Sequence, residues 1–148
     1  KLMSSDKLFE MLRRHEGVKP FAYQCSAGKT TIGVGRNIDE DGGIGLCDAE
    51  IDFLLSNDID RVETELENNF SWYKSLNLAR KDAMVSISFN LGLTRLLKFE
   101  KALGFMAGGD YIMAGMEFDN SLWSKQVGAR AEELCQMIET GEYLDASS

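Results

Sequence analysis

Residues 16–35 read Glu16-Gly17-Val18-Lys19-Pro20-Phe21-Ala22-Tyr23-Gln24-Cys25-Ser26-Ala27-Gly28-Lys29-Thr30-Thr31-Ile32-Gly33-Val34-Gly35. Glu16 closes a helix with an apolar stripe. Cys25 to Gly28 has the composition of a turn, and Lys29 to Val34 that of a short strand. Within it, Gly33 and Gly35 let other backbone come close. Backwards from Glu16, Ser4 or Ser5 is the expected helix cap, with Asp6 favourable in the first turn. Leu8, Phe9 and Leu12 make the stripe. Arg13, Arg14 and His15 bring positive charge to the helix end, where the peptide dipoles favour it and disfavour Glu16. A surface ion pair of Glu16 with Arg13 or Arg14 is the bland alternative. Gly17 and Pro20 stop the helix, and Phe21 and Tyr23 are expected to pack the crossing into the hairpin. A single carboxylic acid above a small glycine-rich hairpin suits acid chemistry on a long polymer.

Forwards from Gly35, residues 37–45 hold three acids and three glycines and are expected to form an exposed loop or a tight turn. Ile51, Leu54, Leu55, Ile59, Val62 and Leu66 then recur at helical spacing, predicting a helix or a bent pair to about Glu67. A break at 68–75 holds Trp72 and Tyr73, whose default role is packing. Asn77 is the expected cap of a central helix that is apolar on several faces, from Ala83 to Leu91. Ser86, Ser88 and Asn90 interrupt it. Leu97 to Met106 predicts a short helix, and Asp110 caps another with Ile112, Met113 and Met116 inward. A loop or short helix at 118–123 leads to a last helix after Gly128, with Leu134, Met137 and Ile138 buried and Gly141 at its end. The tail at 145–148 is expected to fray.

The chain has 148 residues, of which 44% are hydrophobic, and a formal charge of −8. That is enough for a core and close to the size of one domain. Acidic residues spread along the chain disfavour nonspecific nucleic-acid binding. They also oppose any anionic polymer unless local positive charge compensates. No apolar run reaches the roughly 18 residues of a membrane span. Cys25, Cys47 and Cys135 are an odd set without close pairs, which points away from zinc; a reduced compartment is the simplest reading, with one disulfide plus a free thiol left open. His15 has no neighbours at metal-ligand spacing.

Glu16, Cys25 nine residues on and Thr31 six further, followed by Ile32-Gly33-Val34-Gly35, resemble the active-site segment of the T-even phage-type lysozymes, the phage muramidase (endolysin) family. The resemblance covers about residues 5–143. It implies an α+β, mostly helical fold: a lysozyme-like body, a short β-hairpin lobe at about 17–46 and an active-site cleft between them, all within one domain at 1–148. The lobe is shorter than in some members, which should leave the sugar groove more open. The implied activity is a peptidoglycan hydrolase (glycoside hydrolase, muramidase) cutting the β-1,4 bond between N-acetylmuramic acid and N-acetylglucosamine.

In this resemblance Glu16 is the general acid, while Cys25, in place of the commoner Asp, and Thr31 assist water attack with inversion. Asn90 is expected to line the groove. Arg130, in the Gly128-Ala129-Arg130 segment, is expected to approach Glu16, against a bland surface ion pair. Arg36 is expected to pair with Asp58. A lytic transglycosylase, which runs on one Glu, and a non-catalytic wall-binding or phage structural protein are the competing readings. No metal or organic cofactor is implied. The expected partner is the peptidoglycan glycan strand, with a holin or an inhibitor beside it, without nucleic acid or stable membrane insertion, and with the protein as a monomer. The expected location is the host bacterial cytoplasm before release to the wall or periplasm, with an upstream export or anchor segment left open.

Overall fold

The computed structural model describes residues 5–121, 125 and 127–144. The chain forms two compact units, Lys1–Leu54 and Leu55–Ser148. Ser4, Trp123 and the tail at 145–148 lie outside the described residues.

In the first unit, helix α1 runs Asp6–Glu16. Ser5 caps it, its hydroxyl accepting from the Leu8 N–H at 3.1 Å. Gly17 ends it at φ 78°, a conformation that suits glycine. Three antiparallel strands follow in the order β1 (Lys19–Gln24), β2 (Thr30–Gly33), β3 (Arg36–Asn37). β1 is an addition to the expected hairpin: the stretch after Pro20 is a strand rather than a plain crossing. Tyr23 faces Thr31, but Lys19 faces Gly33, so the two strands lose register between these pairs. Pro20 sits in that irregular stretch, where its missing N–H costs no ladder bond. Phe21, expected to pack, is 81% exposed.

The Cys25–Gly28 turn closes as expected, with Gly28 N–H donating to the Cys25 carbonyl at 2.8 Å and Cys25 N–H to the Lys29 carbonyl at 2.9 Å. Among the described residues of this unit only Thr31 is fully buried.

Helix α2, Asp48–Asn69, is one unbroken helix. The second unit adds a 3-10 turn (Tyr73–Ser75), α3 (Leu78–Leu91), α4 (Leu93–Leu96), α5 (Glu100–Gly108), α6 (Tyr111–Asp119) and α7 (Ala129–Thr140). Its core gathers Leu66, Met84, Ile87, Leu96, Phe118 and Ile138, all essentially closed to solvent. Trp72 stacks on Phe70 and Tyr73 is buried, so both pack the corner between α2 and α3. Asn77 caps α3 by accepting from Arg80 N–H, and Asp110 caps α6 through Met113 N–H.

The inward face of α6 corrects the sequence reading. Ile112, Met113 and Met116 are exposed, and Ala114, Gly115 and Phe118 are buried. The reason is close helix packing. A Cβ on Gly115 would lie 3.0 Å from the Cys135 carbonyl and 2.4 Å from Glu139 Cγ, so only a small-residue face lets α6 approach α7. Arg80 ties α3 to the end of α7: its Nε donates to the Ile138 carbonyl at 2.7 Å, and its guanidinium lies 3.9 Å over the Tyr111 ring.

Candidate active site

Glu16 is the last residue of α1, an exposed side chain that reaches the turn between β2 and β3. That turn is Gly33-Val34-Gly35, with φ of 70° and 69° at its two glycines. A Cβ built on Gly35 would sit 3.4 Å from Glu16 Cδ and Oε2. The carboxylate therefore lies against the glycine backbone, close enough that a side chain larger than a methyl group at Gly35 would press on it.

Cys25 and Thr31 come together at the other end of the hairpin. Thr31 is 4% exposed, and its hydroxyl donates to the Lys29 carbonyl at 2.9 Å. The Cys25 thiol is held below its usual pKa, first by the backbone of Lys29, then by that of Ala27; partial burial opposes this. Each favourable contact stabilises the thiolate, the form in which sulfur is a base or nucleophile. All three cysteines are free thiols. Cys135, by contrast, is buried and pushed up to about 12, mainly by desolvation.

The loop after β3 supports this hairpin, a role the sequence reading did not give it. Asp39 accepts the Thr30 N–H at 2.8 Å through Oδ2 and the Asp41 N–H at 2.9 Å through Oδ1. These contacts hold its carboxyl below the usual range, the Thr30 bond contributing most. Lys29 Nζ donates to Asp41 Oδ2 at 3.1 Å and to its carbonyl at 2.9 Å. The signal was present: Asn37-x-Asp39 in a glycine-rich turn is a pattern for side chains that bond their own backbone.

Arg36 and Asp58, expected to pair, each have a charged partner within their own unit. Arg36 donates through Nη1 and Nη2 to the two carboxylate oxygens of Glu50, at 2.8 and 2.6 Å, and through Nη1 to the Gly45 carbonyl. Asp58 accepts from Arg61, three residues along the same helix, at 2.7 Å. Glu50 lies in the first turn of α2 and also accepts the Cys47 N–H at 2.8 Å, so it joins the loop, the helix start and β3. The two-pronged geometry favours Arg with carboxylate. It lowers the Glu50 pKa to about 2, Arg36 contributing most and the Cys47 N–H next.

In the second unit, Asn90 and Arg130 line one hollow of about 560 Å³ with Glu63, Asp82, Ser86 and apolar walls that include Phe89. Both named side chains are exposed. Among the described residues no group of three or more His, Cys, Asp or Glu converges as a metal site, and no helix is long and apolar enough to cross a membrane.

A family model described as phage lysozyme matches residues 13–137, a span that includes Glu16, the hairpin and most of the helical unit. The chain belongs to the phage lysozyme family. It is similar to an endolysin of Acyrthosiphon pisum secondary endosymbiont phage 1, 31% identical over 82% of this chain and 80% of that one. It is also similar to probable T4-type lysozyme 2 of Dictyostelium discoideum, 26% identical over 90% of this chain and 94% of that one. The pre-baseplate central spike protein Gp5 of Enterobacteria phage T4 is 26% identical over 89% of this chain, which spans 27% of Gp5. As a phage lysozyme family member, the chain is a glycoside hydrolase of the lysozyme type, and its α+β, mostly helical architecture agrees with that family.

Proposed function

We propose that the protein is a muramidase that cuts the β-1,4 bond between N-acetylmuramic acid and N-acetylglucosamine in peptidoglycan. The observation that carries this reading is the arrangement of one hairpin: Glu16 over the Gly33–Gly35 turn at one end of β2, and Cys25 with Thr31 towards the other. Glu16 supplies the proton to the departing sugar oxygen. Bond cleavage leaves positive character on the ring carbon, and water attacks there. An acid and a water-activating group with a water between them is the arrangement of inverting enzymes.

Cys25 takes the second position as a thiolate, accepting a proton from the water. Thr31 orients the water. Its one proton is given to the Lys29 carbonyl, so its oxygen offers lone pairs to an incoming O–H. Asn90 and Arg130 are proposed to offer hydrogen bonds to sugar from their hollow in the second unit. The protein acts as a monomer on the glycan strand.

A second reading follows from the same site. Cys25 is not a carboxylate, and a lytic transglycosylase needs only Glu16, because the substrate's own hydroxyl attacks and leaves an anhydro sugar. Mass spectrometry of a peptidoglycan digest separates the two. The muramidase gives reducing muramic ends; the transglycosylase gives fragments lighter by one water, and their exclusive appearance would overturn the proposal.

A further inference from the structure

We infer that Asp39 is a positioning residue for Thr31 and Cys25, acting through the peptide group between Lys29 and Thr30. The inference rests on the reading of Thr31 and Cys25 as the pair that handles the attacking water.

One rigid peptide plane carries the Lys29 carbonyl at one edge and the Thr30 N–H at the other. On the carbonyl side it accepts two bonds, the Thr31 hydroxyl at 2.9 Å and the Cys25 N–H at 2.9 Å. On the N–H side it donates to Asp39 Oδ2 at 2.8 Å. Asp39 thus grips the far edge of the group on which both site residues hang. A negative acceptor on the N–H also polarises the peptide and strengthens its carbonyl as an acceptor.

Asp39 is itself fixed. Its own N–H donates to Asn37 Oδ1 at 2.9 Å, its second carboxylate oxygen takes the Asp41 N–H, and its carbonyl takes the Gly43 N–H at 2.9 Å. Gly43 is needed for this fold-back, because a Cβ there would lie 2.5 Å from the Asp39 carbonyl. From the other side, Lys29 is tethered through its ammonium to Asp41. Beyond Thr30 the carbonyl accepts Ile38 N–H at 2.9 Å, so the strand segment just before Thr31 is bonded on both its polar groups. Asp39 touches no expected reacting atom. Its effect is to keep the Thr31 proton on Lys29, so that the hydroxyl meets water as an acceptor, and to keep the Lys29 backbone against the Cys25 sulfur.

The test uses the full chain with Cys47→Ser, which removes the exposed thiol, and compares Asp39→Ala and Asp39→Asn. Turnover on purified peptidoglycan is measured beside the pH profile of Cys25 alkylation by iodoacetamide, read by mass spectrometry. Asp39→Ala should lower kcat about tenfold or more, a loss of ~1.4 kcal/mol or more in transition-state stabilisation. KM should stay within about twofold, and the alkylation profile should move to higher pH. Asp39→Asn keeps one acceptor oxygen and should recover part of both effects. Unchanged kcat, or a lower kcat with an unmoved alkylation profile, would overturn the positioning role. If Asp39→Ala does not fold, Asp39→Asn carries the test on the same two readouts. Thr31→Ala in the same assay separates the two levels of the argument. If it turns over normally, the water-handling reading fails whatever Asp39 does. If it is slow while Asp39→Ala is not, only the positioning inference fails.

Discussion

Gly35 and Gly33 form a matched pair for testing how Glu16 is held. Both glycines bound the β2–β3 turn with nearly equal positive φ, 69° and 70°. A side chain at either position carries the same backbone strain, about 1–2 kcal/mol for an L-residue in that region. They differ in what the new atoms meet. At Gly33 nothing lies within 4 Å, whereas at Gly35 the Cβ would be 3.4 Å from Glu16 Cδ and Oε2. That is ordinary contact, so Gly35→Ala should cost stability with less than about a tenfold loss of turnover. Valine adds methyl groups about 1.5 Å further out, which the carboxylate can accommodate only by moving about 1 Å. A displacement of that size costs of order 10² in rate. Gly33→Val and Gly35→Val should therefore lose similar stability in urea unfolding, while Gly35→Val alone loses about a hundredfold in peptidoglycan clearing. Equal activities for the two valine variants, with folding verified, would refute the claim that the Gly35 backbone seats Glu16.

Acid should loosen the hairpin through Glu50, whose pKa falls from the usual 4.5 to about 2 on folding because Arg36 and the Cys47 N–H bind its carboxylate. A depressed folded pKa gives stability that is fully present above about 4.5 and lost as pH falls towards 2; urea unfolding from pH 6 to 2 should show a shallower decline in Glu50→Gln than in the wild type. Cys25→Ser should lower turnover and remove the rise of activity with pH that thiolate formation produces, while Cys25→Asp keeps or raises turnover; a wild-type rate and pH profile for the serine variant would make Cys25 a spectator. Gly115→Ala should destabilise the second unit although alanine favours a helix by about 1 kcal/mol over glycine, because the new Cβ collides with the α7 backbone at Cys135 and with Glu139. An unchanged or raised melting temperature would contradict the close α6–α7 packing.

Local signals were the ones the sequence stated most clearly. Ser5, Asn77 and Asp110 carry a short oxygen side chain at the start of an apolar period, and each caps its helix. Gly17 and Gly141 stop helices because they take positive φ. The readings that failed depended on non-local geometry. α6 was given its bulkiest residues as an inner face, but the distance to α7 selects Ala114 and Gly115. Pro20 signalled a helix stop correctly, yet said nothing about a strand that tolerates it at an irregularity. Arg36 had several acids within plausible reach. Glu50, which the sequence did not single out, takes it through a two-oxygen fit at the start of α2. Of the proposed site, the spacing of Glu16, Cys25 and Thr31 could be read in the sequence as a resemblance. The dependence of Thr31 and Cys25 on a peptide held by Asp39 could not, because hydrogen bonds across a turn leave only the faint trace of Asn37 and Asp39 among glycines.

The central claim is that Glu16 donates the proton that breaks the glycosidic bond. Glu16→Gln preserves the size and much of the hydrogen bonding of the side chain and removes the acidic proton. The direct measurement is the initial rate of new reducing ends from purified peptidoglycan, wild type against Glu16→Gln, with circular dichroism and urea unfolding showing that both are folded. The account predicts a loss of at least about 10²-fold, the lower end of what positioned acid–base catalysis contributes, with stability close to wild type. A folded Glu16→Gln protein that releases reducing ends at the wild-type rate would contradict it.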